Sequence, residues 1–447
     1  MELNIVDQPC IAFCPPCSNR RFKAIFVSVA LLSTMASIAQ EINPFQISAT
    51  TNEVQAPPPV ALPESSLPPR ISGVGQLASP PPVGAVPPQP LLSAGPINFQ
   101  PHVLYSLSYA RGLQAGPGQR VNTTINEIDP GILLQIGNHW LLDYTPILRY
   151  YTSASFRDTW DNQVVLSGAT TYRDWTFGFS QGYTSSSEPL VETAGQLDTS
   201  TYLTLFNATY RMGQALALEL NANQNFQFVD QTIPGQQFTD WYFWSTTDWL
   251  NFLVSSNFSA AVGAGFQYDE MRVGPDMTSE LFEGRLKWHV NTNLDLVAAG
   301  GVQNRQFLSS EQPDLLRPIF SLTGYYQVFQ PTKLFVAGGR TISPSYFAGQ
   351  LTENTTISGG VNQRLLQKLY LNVAGAYGKT VYKNSAVPPI SSIGTDFDTT
   401  SVNVSLTTSF LRRATASIFY QWTSYSSTSA LYNYSTTQFG LYLGYRF

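Results

Sequence analysis

The closing stretch, Phe439-Gly440-Leu441-Tyr442-Leu443-Gly444-Tyr445-Arg446-Phe447, decides the fold. Phe439, Leu441, Leu443, Tyr445 and Phe447 fall on one face, and Gly440, Tyr442, Gly444 and Arg446 on the other. A period of two is that of a strand, because successive side chains leave an extended backbone on opposite sides. The pattern recurs upstream. Leu216, Leu218, Leu220 and Ala222 alternate with Ala217, Glu219, Asn221 and Asn223. Val402, Val404, Leu406 and Phe410 alternate with Asn403, Ser405, Thr407 and Ser409.

The breaks between these segments form two classes. Tight ones include Gly137-Asn138, Arg173-Asp174, Met212-Gly213, 291–293 and 330–332. Longer, more polar ones are 112–122, 152–157, 185–197, 230–237, 271–277, 307–314, 341–351, 383–397 and 425–432. The classes alternate along the chain and predict about 18 strands, with short turns at one rim and longer loops at the other. The expected fold is all-β: a transmembrane, antiparallel, up-and-down β-barrel over 99–447.

Composition narrows the choice. Of 447 residues, 43% are hydrophobic, 13% aromatic and only 12% charged, with a net charge of -5. A soluble domain carries about twice that charge fraction. With no basic excess to meet phosphates, a nucleic-acid partner is excluded. A mean hydropathy of -0.08 is too polar for a bundle of membrane helices. A soluble sandwich hides its apolar face, whereas here the second face is rich in Gly, Ser, Thr, Asn and Gln, as a wet lumen would be. Aromatics gather near strand ends: Trp140, Tyr150, Tyr172, Trp175, Tyr183, Trp249, Tyr268, Trp288, Tyr326, Tyr377, Trp422 and Tyr445. That distribution predicts two interfacial girdles.

The start of the chain reads as an export signal over 1–39. Arg20, Arg21 and Lys23 precede an apolar run from Ala24 to Ile38, and Ser37 and Ala39 suit cleavage after Ala39. The basic region is long, which leaves Met1 open as the true start. Cys10, Cys14 and Cys17 all lie upstream of that cut, so the mature chain is expected to lack disulfides and thiolate metal sites. From 40 to 98 the chain is Pro-rich, with Pro57-Pro58-Pro59 and Pro80-Pro81-Pro82. Proline lacks the amide donor of helices and ladders, so this stretch is expected to be a disordered or semi-rigid periplasmic arm.

Gln438, Gly440, Leu443, Tyr445 and Phe447 resemble the C-terminal assembly signal of Gram-negative outer-membrane barrels. The region 99–447 resembles the β-barrel porin family of the outer-membrane β-barrel superfamily, in segments such as Gly137-Asn138-His139-Trp140 and Asn362-Gln363-Arg364-Leu365-Leu366. The resemblance implies an outer-membrane location, with membrane lipid and the barrel-assembly machinery as partners. Deleting Phe447 should therefore impair insertion, read as loss of the heat-modifiable band on electrophoresis.

A charge facing lipid at mid-depth costs about 2–4 kcal/mol for Arg or Lys. Alternation and this cost assign to the lumen Glu127, Asp129, Asp143, Arg149, Glu219, Glu283, Arg285, Lys287, Asp295, Arg305, Arg317, Arg340, Arg364 and Arg446. Enzyme readings lack support. His102, His139 and His289 are the chain's three histidines, and all are expected at the periplasmic rim in or beside turns. No catalytic, cofactor-binding or metal site is predicted. The leading functional reading is passive diffusion of small hydrophilic solutes. The second is a non-channel barrel assisting an envelope or polysaccharide-export assembly, with a periplasmic partner docked on the arm. Monomer and trimer both remain open, since no subunit seam is identifiable. No long constriction loop stands out either; 185–197 and 383–397 are the longest candidates for folding inward.

Overall fold

The computed structural model describes residues 92–447, apart from 117, 191–194, 231–237, 309, 367, 386–395, 411–412 and 428–432. The signal segment, its cleavage site, the three cysteines and the arm up to residue 91 lie outside the described residues. Among the described residues no helix is long and apolar enough to cross a membrane.

The wall begins with β2 (Ile97–Gly116), onto whose start the short β1 (Leu92–Ala94) folds back. There follow β3 (Gln119–Ile136), β4 (Trp140–Tyr151), β5 (Thr159–Tyr172) and β6 (Trp175–Ser186). Two short strands, β7 (Pro189–Leu190) and β8 (Gly195–Gln196), make a separate hairpin. The wall resumes with β9 (Thr199–Met212), β10 (Leu216–Val229), β11 (Trp241–Ser255), β12 (Phe258–Met271) and β13 (Met277–Asn291). It continues through β14 (Leu294–Phe307), β15 (Leu315–Phe329), β16 (Thr332–Pro344) and β17 (Gln350–Leu365). The last four strands are β18 (Leu369–Asn384), β19 (Phe397–Phe410), β20 (Ala414–Ser427) and β21 (Tyr434–Arg446).

Each wall strand pairs antiparallel with the next, and β21 returns to pair with β2 from His102↔Arg446 to Arg111↔Thr437. The sheet holds 19 strands; setting aside β1 leaves 18 in a closed ring. Closure gives every wall strand a neighbour on both edges, which hydrocarbon demands because it offers no donors or acceptors. The tight turns follow from local chemistry. Gly137 and Gly213 take positive φ of 58° and 80°, a conformation that costs glycine little. Gly440 serves closure differently. A Cβ there would stand 2.5 Å from the Leu107 carbonyl oxygen and 2.7 Å from the Phe419 ring. Phe419 lies over that gap and stacks on Tyr442 at 4.6 Å.

Burial is inverted relative to a soluble protein. Val262, Phe266, Phe282, Leu286, Leu316, Phe320, Ile357, Ile418 and Phe439 are exposed. Asp129, Arg149, Asp161, Asn225, Asp269, Gln303 and Arg305 are buried. In water such a surface would drive association. Around a ring of paired strands it is a lipid-facing belt enclosing a polar interior.

One aromatic departs from the girdle expectation. Trp249 shares its parity with Ser245, Thr247 and Asn251 and is buried inside, where the Arg285 guanidinium lies 4.3 Å from its ring centroid. A cation over an indole face is stabilised by the ring quadrupole, so the residue that looked like an interfacial anchor is an interior partner.

Candidate functional site

The interior is the site, and its charges sort by position around the ring. On β4, Arg149 points inward and collects three carboxylates. Its Nε donates to Glu127 of β3, its Nη1 donates to Asp161 of β5 at 2.7 Å, and its Nη2 lies 2.6 Å from Glu188. Asp129 is the next inward residue along β3 and is also buried. Four carboxylates against one guanidinium leave a formal local charge of -3.

Glu188 belongs to no wall strand. It sits between β6 and the β7–β8 hairpin, and that hairpin lies against β2, beyond β3, β4 and β5. Glu188 and the two strands of this hairpin therefore lie across the inner side of the wall. The backbone N–H of Arg157 donates to Gln196 Oε1 at 2.9 Å, Gln196 returns a bond to the Arg157 carbonyl at 3.0 Å, and Arg157 also pairs with Asp198. Leu197 is fully enclosed beneath it.

A second segment turns inward on the far side. Pairing of β15 with β16 stops at Phe320↔Arg340, although both strands continue, while β16 and β17 remain paired up to Pro344↔Leu351. Freed from β15, the end of the β16–β17 hairpin leans into the lumen. Leu351 joins Trp241, Met271 and Met277 in an apolar cluster against the inner wall. Phe347 bridges to Phe238 and stacks on it at 5.6 Å. The N–H of Thr239 donates to the Tyr346 carbonyl at 3.0 Å, and that of Ser385 to the Gly349 carbonyl at 2.9 Å. The region 341–351 was expected as an ordinary outer loop; it is an infolded hairpin end. Of the two candidates named from sequence, 185–197 does turn inward in its described residues, through Glu188 and the β7–β8 hairpin. The other, 383–397, lies mostly outside the described residues.

Beneath this hairpin sit the arginines. Arg305 of β14 is almost wholly buried, 3.3 Å from Asp269 of β12, and donates to the Ile342 carbonyl at 3.3 Å. Arg317 of β15 donates to Glu353 at 2.9 Å and Arg340 of β16 to the same carboxylate at 2.8 Å. Arg340 reaches this place by a route alternation did not foresee. Its parity is that of Leu334 and Val336, which are exposed, and only the inward lean of the hairpin brings it against Arg317 and Glu353.

The remaining assigned charges occupy the inner parity of their strands. Arg285 Nη2 donates to Glu219 at 2.6 Å and to Asn251 at 2.9 Å, and Glu283 and Lys287 flank Arg285 on β13. Asp295 meets His289 at 2.5 Å. Asp143 accepts from Thr145 at 3.0 Å and lies 4.0 Å from His102. Arg364 lies near the end of β17, and Arg446 pairs in register with His102. Four carboxylates escaped the sequence reading: Asp161, Glu188, Asp269 and Glu353. Asp161 could have been found by extending the alternation outward from Trp160, and Asp269 from Phe266. Glu188 and Glu353 act through non-local folds and carry no local signal.

Stepping from β4 to β15 crosses nine pairings either way round the ring. The acidic group at Arg149 and the arginine pair at Glu353 thus stand on opposite walls. Among the described residues no group of three or more His, Cys, Asp or Glu side chains could hold a metal ion.

No family model and no curated protein sequence matches the chain. Solved structures similar to it include Pseudomonas aeruginosa OpdO, with a TM-score of 0.43 and 10% identity over 78% of this chain and 97% of that one. Acinetobacter baumannii OccAB3 gives 0.41 and 10% over 78% and 99%. The ferric citrate transporter FecA gives 0.41 and 9% over 78% and 64%. The chain spans 64% of the length of FecA and of the copper transporter OprC. Ring closure, the exposed apolar belt and the charged interior together make this chain a transmembrane β-barrel.

Proposed function

We propose that the barrel is a passive channel for small hydrophilic solutes, narrowed by its two infolded segments. The observation that carries this reading is a polar lining that runs round a closed ring wide enough for a channel. A barrel serving only as an anchor has no need of opposed charged walls. Here Glu127, Asp129, Asp161 and Glu188 stand across from Arg317 and Arg340. Such walls orient a hydrated solute and bias which ions pass. The acidic group is -3 around Arg149, and the opposite group is +1 around Glu353, so the sum favours cations.

The test is a planar-bilayer recording on the refolded chain under a potassium chloride gradient. Steady ohmic openings with a reversal potential on the cation side are expected. A correctly inserted but silent barrel would sink the channel reading, and anion preference would sink the charge argument.

A further inference from the structure

On the lipid face of β11, Tyr242 and Trp244 mark one end of the apolar belt and Phe252 the other. Between them the outward residues are Thr246, Asp248 and Leu250. Asp248 is in register with Leu220 of β10 and Ala264 of β12, both on the lipid side. It is exposed and, among the described residues, makes no hydrogen bond or ion pair. The opposite phase is closed to it, because Trp249 is locked inside against Arg285.

A carboxyl group at mid-depth with no partner is costly, and ionisable groups in such places pair with something. Acyl chains offer no donor. The surface around Asp248 does offer donors of its own. Thr246 is the adjacent outward residue, in register with Ala222, and Gln224 is the next outward residue on β10. Gln181 and Thr204, further along the same row, already bond to each other at 2.7 Å. The patch therefore carries an acceptor and donors at neighbouring depths. That is the complementarity two copies of one surface need when their symmetry axis runs along the membrane normal.

We propose that the lipid face of β10–β12, centred on Asp248, is the contact between two copies of this chain. Each copy's Asp248 accepts a hydrogen bond from the other's Thr246 hydroxyl or Gln224 amide. Ala222 and Ala264 beside it let the walls approach closely.

The test uses the full chain in intact outer membranes, with Thr246→Cys and a short bis-maleimide linker. A linked band at twice the chain mass is expected. Val402→Cys, on the outward face of β19 across the ring, should stay at the single mass, as should the parent chain. Adding Asp248→Leu to Thr246→Cys should abolish the linked band and keep the heat-modifiable barrel. Absence of the double-mass band from Thr246→Cys would overturn the proposal. So would equal linking from Val402→Cys, a linked band of another mass, or linking that survives Asp248→Leu.

Discussion

Replacing Arg305 by methionine should lower the unfolding free energy by about 3–5 kcal/mol, the cost of stranding one member of a buried ion pair. Asp269 would lose the cation 3.3 Å away and remain wholly enclosed. Arg305 also ties the infolded hairpin to the wall through the Ile342 carbonyl. Met277, already 3.9 Å from the guanidinium, shows that a thioether is at home there. The double variant Arg305→Met with Asp269→Leu should recover most of the loss, since replacing both partners leaves no orphaned charge. Urea unfolding of the barrel in lipid or detergent, followed by tryptophan fluorescence, measures both. Equal stability of the single variant and the parent would refute the role given to the pair.

Removing the other central guanidinium should act on conduction as well as stability. Arg149→Met leaves Glu127, Asp129, Asp161 and Glu188 with no cation among them, so the formal local charge goes from -3 to -4. Glu188 is the member on the infolded segment, and repulsion from the wall carboxylates should drive it away. Protease sensitivity within 187–198 is then expected to rise, with larger single-channel conductance and a stronger cation preference. An unchanged conductance and an uncut segment would mean that contacts such as those of Gln196 and Leu197 hold the hairpin without Arg149.

The two arginines also measure how far sequence carries. Both were placed in the lumen by alternation, because a strand puts every second side chain on one side and lipid penalises the wrong phase. The same logic misplaced Trp249. Trp249 stands near the middle of β11 rather than at a strand end, and the Arg285 guanidinium over its ring fixes it in the interior. Correcting that phase is what turns Asp248 toward lipid.

By itself, then, the sequence determined a closed ring of alternating strands, its rims and most of its inward charges. These are local properties, set residue by residue by pleat and polarity. Tertiary structure decided which carboxylate meets which arginine, that Glu188 with the β7–β8 hairpin and the end of the β16–β17 hairpin turn into the lumen rather than cap it, and how Arg340 comes inside. Those outcomes depend on segments leaving the ladder to pack against strands far away around the ring, and no periodicity within a segment records where its end will come to rest.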